Sequence, residues 1–119
     1  MNYKLTIIVP VYNEEDNLER VETELSNYLK IASVPTCVLF VNDGSKDKSQ
    51  TMIEAICNRN DAFDYVLFQE NRGLSAAIKA GFDYADTALV GYIDSDLQTS
   101  PEDFNLSLIH ISEPTRRHL

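Results

Sequence analysis

Lys4-Leu5-Thr6-Ile7-Ile8-Val9-Pro10-Val11 is a nearly uninterrupted apolar run dominated by β-branched residues. It lacks the polar alternation of a half-exposed strand. Such a run reads as a strand buried on both faces, the kind found in parallel sheets sandwiched between helices. The residues after it agree. Glu14, Glu15 and Asp16 suit the amino end of a helix, with Asn13 and Asp16 as capping side chains. Leu18, Val21, Leu25, Tyr28 and Leu29 recur at spacings of three and four, which predicts one apolar stripe along a helix from about Glu14 to Ile31.

The same alternation continues to the end of the readable pattern. Pro35 precedes a second buried run, Thr36 to Val41, that stops at Asn42-Asp43-Gly44-Ser45. A second helix is predicted from about Asp47, with Asp47 and Gln50 as a capping-box variant and Met52, Ile53, Ile56 and Cys57 as its buried face. Phe63 to Phe68 reads as a short third strand. Gln69 to Gly73 then turns into a helix carrying Leu74, Ala77, Ile78, Gly81, Phe82 and Ala85. Ala88 to Ile93 is the fourth strand, and Ser100 and Pro101 open another helix as cap and first-turn residue. Strand and helix alternating four times with short connections define an α/β chain: a parallel sheet flanked by helices through right-handed crossovers.

Composition narrows the function. At 119 residues the chain holds one domain at most, and a hydrophobic share of 44% is ordinary for a globular core. A formal charge of -9 without any Lys/Arg cluster argues against nucleic-acid binding through a basic face. No apolar run approaches the ~20 residues that span a bilayer. Cys37 and Cys57, with no C-x-x-C and no leader-like start, read as reduced core residues of a cytoplasmic protein. After Leu106 the helical pattern is abandoned, and Pro114 stands where a helix would continue. Residues 1–106 therefore read as the domain, truncated, and 107–119 as a tail foreign to it or a frayed native end.

In open α/β sheets ligands bind beyond the carboxyl ends of the strands, and here every such end is polar. The first carries Tyr12-Asn13-Glu14, the second Asn42-Asp43-Gly44-Ser45, the third Asn71-Arg72-Gly73 and the fourth Asp94-Ser95-Asp96. An isolated D-x-D is weak evidence, because such triplets often sit in solvated turns. Four polar strand ends are more simply explained by one cleft. Asp94 and Asp96 at a strand's exit can then converge on a hard cation, Mg²⁺ or Mn²⁺.

In order and spacing, Val9-Pro10-Val11-Tyr12-Asn13-Glu14-Glu15-Asp16-Asn17-Leu18, Val41-Asn42-Asp43-Gly44-Ser45-Lys46-Asp47, Asn71-Arg72-Gly73-Leu74-Ser75-Ala76-Ala77 with Gly81, and Asp94-Ser95-Asp96-Leu97-Gln98 closely resemble glycosyltransferase family 2. The resemblance covers residues 3 to about 106, the nucleotide-sugar-binding half of that family's Rossmann-like GT-A fold. Asp-Leu-Gln followed by Pro101-Glu102 is most similar to the branch that transfers sugars to polyprenyl phosphates, the dolichyl-phosphate mannose synthase-like enzymes. The resemblance implies a nucleoside-diphosphate sugar, UDP- or GDP-linked, as donor. Asp43 would accept the donor edge of the base, over a tight turn at Gly44 and Ser45. Glu14 would face the base or ribose, with Pro10, Val11 and Tyr12 at the wall. Arg72 would lie near the diphosphate, with amide donors from the third helix's amino end. Asp96 would ligate the metal, and Asp94 the sugar, the ribose or the metal through water, flanking Ser95. Family members add an acceptor half, and polyprenyl-linked ones commonly add membrane or interfacial segments. This chain is therefore expected to bind donor at most, and the full-length protein to work at the cytoplasmic face of a membrane.

Simpler roles compete at each position. Asp16 and Glu14 can serve the helix dipole, Asp47 a cap, Asn71 and Gly73 a turn, and Arg72 a surface ion pair. A nucleotidyltransferase would carry a Gly-rich basic loop after the first strand, and Tyr12-Asn13-Glu14 is not one. Glycines at 44, 73, 81 and 91 cannot form the G-x-G-x-x-G of a dinucleotide-binding oxidoreductase. A non-catalytic α/β binding module stays open at this point.

Overall fold

The computed structural model describes residues 2–93. Seven elements alternate along them: β1 (Leu5–Val11), α1 (Leu18–Ile31), β2 (Thr36–Asn42), α2 (Ser49–Arg59), β3 (Phe63–Leu67), α3 (Leu74–Tyr84) and β4 (Leu89–Tyr92). The four strands form one sheet in the order β3-β2-β1-β4, every pair parallel. The chain builds outward from β1 through β2 to β3, then crosses back to place β4 on the other side of β1. The strand order therefore reverses between β1 and β4.

Each strand's alternation divides the core. Ile7, Val9, Val11, Val38, Phe40 and Phe63 meet Leu18, Val21, Leu25 and Tyr28 of α1 and Ile53 and Ile56 of α2 on one face. Ile8, Leu39, Val41 and Val90 meet Ala77 of α3, with Phe68 and Ala85, on the other. The apolar run of β1 is thus buried on both sides, and all seven of its residues are buried. On the α3 face the fit is close. A Cβ on Gly81 would lie 2.7 Å from the nearest side-chain carbons of Ile8, so only glycine lets the helix come this near the sheet. Across the other face, Arg59 of α2 grips Glu22 of α1 with Nε and Nη2 at 2.8 and 2.6 Å.

Several boundaries differ from those the sequence predicts. α1 begins at Leu18 rather than Glu14, and its first turn carries no side-chain cap. Asn13 has a positive φ of 52°, and the amides of Glu14 and Glu15 are bound to Ser49 at the start of α2 and to Asp47 before it, so these residues belong to a loop and do not start the helix. The Asp47–Gln50 capping box does not form. Asp47 Oδ1 accepts the Ser49 amide, but Gln50 turns its side chain to Asn42 and Glu54. Leu74, one of the apolar residues read along the third helix, is 61% exposed. Met52 and Cys57 are half-buried rather than core residues, as is Cys37. The expected helix at Pro101 and the tail at 107–119 lie outside the described residues.

Candidate functional site

The three described strand-end loops are bonded to one another. After β1, the Asn13 amide donates to Ser45 Oγ (2.9 Å), and the Lys46 amide donates back to Asn13 Oδ1 (2.8 Å). The Glu14 amide donates to Ser49 Oγ (2.9 Å), and the Glu15 amide to Asp47 Oδ2 (3.1 Å). The Lys48 amide returns a bond to Glu15 Oε1 (3.0 Å). Short polar side chains at these positions thus take the place of a backbone ladder where β1 and β2 end. Burial alone would raise the carboxyl of Asp47, but the Ser49 hydroxyl and the Ser49 and Glu15 amides outweigh it and hold Asp47 below its ordinary value.

Asp43 joins the second loop to the third. It is 4% exposed. The Arg72 amide donates to its Oδ1 (2.6 Å), while the Gly73 amide (2.9 Å) and the Asn71 side-chain amide (3.1 Å) donate to Oδ2. Three of the roughly four acceptor positions of a carboxylate are thereby filled. Beside it, Gly44 has φ +70°, and a Cβ there would fall 2.4 Å from the carbonyl carbon of Glu70 and 2.5 Å from the Asn71 nitrogen. Glycine is needed at 44 for both reasons, the left-handed conformation and the contact with the third loop.

Pro10, Val11, Tyr12, Glu14, Asp43, Asn71, Gly73, Leu74 and Ala77 enclose a cavity of about 270 Å³ at the carboxyl ends of the strands. Five of the sequence-predicted site residues are therefore brought together: Pro10, Val11, Tyr12, Glu14 and Asp43. Glu14 is half-buried, and its Oε1 accepts from the Asn17 side chain at 2.8 Å. Gly44 supports this group without lining the cavity. Arg72 does not line it either; its guanidinium stacks over the Phe68 ring at 4.8 Å and forms no ion pair among the described residues. The Gly73 amide, expected to serve a phosphate, is already bound to Asp43. Leu74, which is exposed, and Ala77, which is also part of the core, add an apolar wall. Asn71, whose local sequence suggests only a turn, is a further wall residue.

Asp94, Ser95 and Asp96 lie outside the described residues. Ile93, the last described residue, donates its amide to Ile8 O at 3.0 Å, so the ladder between β4 and β1 runs up to the residue preceding Asp94. No group of three His, Cys, Asp or Glu side chains able to hold a metal occurs among the described residues. Asp43 is occupied by N–H donors within residues 71–73.

A larger cavity, about 350 Å³, sits where Tyr3, Thr6, Cys37, Asp61, Asp64, Tyr84 and Asp86 meet, near the amino ends of β1–β3. Its walls bring three carboxylates and no Lys or Arg. The smaller cavity has no Lys or Arg in its walls either; what favours it is its place at the strand exits, where open α/β sheets bind ligands.

A parallel sheet whose order reverses at β1 and β4, with a cavity at the carboxyl ends, defines a Rossmann-like α/β protein. The chain belongs to glycosyl transferase family 2, whose profile matches residues 6–115. Over 102 residues it is 39% identical to an uncharacterized glycosyltransferase of Synechocystis, covering 86% of this chain and 32% of that protein. Over 111 residues it is 32% identical to the undecaprenyl-phosphate 4-deoxy-4-formamido-L-arabinose transferase of Yersinia pestis, covering 92% of this chain and 34% of the relative. The chain thus spans about a third of the curated relatives it matches. Among solved structures it is similar to S. aureus TarS in complex with UDP-GlcNAc, with a TM-score of 0.63 and 27% identity over 86% of this chain and 29% of that one. The mannosyltransferase of Pyrobaculum calidifontis, solved with GDP-Man and Mn²⁺, shares the fold at a TM-score of 0.67 and 20% identity, over 92% of this chain and 33% of the other. The fold is that of the GT-A glycosyltransferases.

Proposed function

We propose that this chain forms the donor-binding part of an inverting glycosyltransferase that takes a UDP- or GDP-linked sugar and passes the sugar to a polyprenyl phosphate. The observation that carries the reading is the cavity at the β1/β4 reversal, where Pro10, Val11, Tyr12, Glu14 and Asp43 converge. The UDP-GlcNAc and GDP-Man complexes of structurally similar proteins support the donor class. The undecaprenyl-phosphate relative supports the acceptor class.

In this reading the base stacks in the apolar part of the cavity between Tyr12 and Leu74. Asp43 offers its remaining acceptor position to the donor edge of uracil or guanine, and Glu14 faces the ribose. Arg72 turns from Phe68 to the diphosphate. An exposed cation–π contact contributes only about 0.5–1 kcal/mol, less than a charge-assisted bond to phosphate, so the exchange favours the ligand. Asp96, and Asp94 directly or through water, would hold Mg²⁺ or Mn²⁺, with Ser95 as a donor-sugar contact. The cation, when bound, offsets the charge of the leaving nucleoside diphosphate.

The acceptor oxygen attacks the anomeric carbon from the face opposite the diphosphate, and the bond to the diphosphate oxygen breaks. A polyprenyl phosphate is already anionic near neutral pH and needs no protein base. Such an acceptor puts the reaction at the cytoplasmic face of a membrane. No helix among the described residues is long and apolar enough to cross one. Titration of the chain with UDP and with GDP, with and without Mn²⁺, tests the proposal. Metal-dependent binding lost in Asp96→Ala supports it. Binding of neither nucleotide would sink it.

A further inference from the structure

We infer that Asp43 is a positioning residue whose main contribution to nucleotide binding is to hold the Asn71–Gly73 loop and the start of α3 in place, beyond any contact it makes with the base. The inference rests on the nucleotide-binding reading above. Its physical basis is independent of that reading. A base contact alone would need one free carboxylate oxygen presented to the cavity. Instead the buried carboxylate faces three donors, all within residues 71–73, at 2.6 to 3.1 Å. The Asn71 side chain also reaches the Asp43 carbonyl at 3.3 Å.

Two of those donors are backbone amides at the N-terminal approach to α3, Gly73 being its N-cap residue with φ 102°. A loop with glycine in that conformation has no steric preference of its own for this path. Charge-assisted bonds from a residue anchored at the end of β2 supply one. The anchor is firm, because the Asp43 amide itself donates to Val11 O at 2.8 Å, extending the β1–β2 ladder. One side chain therefore ties the end of β2, and through it β1, to the wall of the cavity formed by Asn71, Gly73 and Leu74.

Asp43→Asn tests this in the whole chain. The amide keeps one acceptor oxygen and turns an NH₂ toward either the Arg72 amide or the Gly73 and Asn71 donors, so the full clasp cannot close. Two readouts are taken at a temperature where the variant remains folded. In the ligand-free protein, hydrogen exchange at the Arg72 and Gly73 amides should quicken by about tenfold or more, the scale of one lost charged hydrogen bond. Affinities for UDP, GDP, CDP and ADP should all fall by a similar factor, because the wall has moved for every base. Unchanged exchange, or a loss confined to UDP and GDP, would overturn the inference and leave Asp43 a base contact only. A lowered melting temperature with unchanged affinities would also overturn it, as a merely structural role. Should Asp43→Asn not fold, Asn71→Ala removes one donor and keeps the carboxylate. Faster Gly73 exchange with a uniform, smaller affinity loss is then expected, and wild-type behaviour in both would overturn the inference. If the wild-type chain binds none of the four nucleotides, the functional proposal fails and with it the binding arm, while exchange still decides whether Asp43 holds the loop.

Discussion

Gly44 lies so close to Asn71 that a Cβ would sit 2.5 Å from the Asn71 backbone nitrogen. Both residues belong to loops at strand ends, and nothing flexible separates them. Gly44→Ala has to shift backbone and also adopt φ +70° with a side chain. We expect a loss of about 2–4 kcal/mol from the combined strain and overpacking, read as a lower urea midpoint.

On the opposite face of the sheet, Gly81 makes the comparable contact with a side chain, that of Ile8. Gly81→Ala should cost about 1–3 kcal/mol, because Ile8 is fully buried and has no open space to enter. Ile8→Val removes Cδ1, one of the three side-chain carbons within 2.8 Å of the added methyl group. The penalty for Gly81→Ala should therefore be smaller in the Ile8→Val background than in the wild type, a coupling that a double-mutant cycle measures directly.

The loop crown also sets a pH dependence. Asp47 is held below its ordinary value of 3.8. Arg59, with help from Asn60, holds Glu22 below 4.5 despite its partial burial. A carboxylate depressed in the folded state stabilises it at pH values above the unfolded pKa, and that contribution disappears as the pH falls through the folded pKa. Stability should thus fall on acidification below about pH 4. Asp47→Asn should be less stable at neutral pH and lose less on going to acid. Chemical denaturation at a series of pH values checks the slope.

Burial pushes the Cys57 thiol up to about 11 and raises that of Cys37 as well. Little thiolate then exists at pH 8 in the folded chain, and neither cysteine is in a disulfide. Both should react slowly with a thiol reagent until denaturant is added. Rapid labelling of the native protein would contradict their placement.

Much of this architecture is legible in the residues. The continuous β-branched run of β1, the stripe from Leu18 to Tyr28 and the small residues of α3 each have one physical reading, and together they imply the fold. The start of α1 is not legible. Glu14 and Glu15 look locally like the start of a helix, yet their amides are bound to Ser49 and Asp47, more than 30 residues away. Which polar groups gather at the strand ends can be read from sequence. How Asp43 is engaged cannot, because its three donors lie 28 to 30 residues further on.

The nucleotide is expected to enter at the carboxyl ends of the strands and not in the larger cavity at the other end. Amide chemical-shift mapping with UDP or GDP in the presence of Mg²⁺ addresses this most directly. The expected result is perturbation centred on Val11, Tyr12, Glu14, Asp43, Gly44, Gly73 and Leu74. Perturbation centred instead on Tyr3, Cys37, Asp61, Asp64 and Asp86, or absent from both ends, would contradict it.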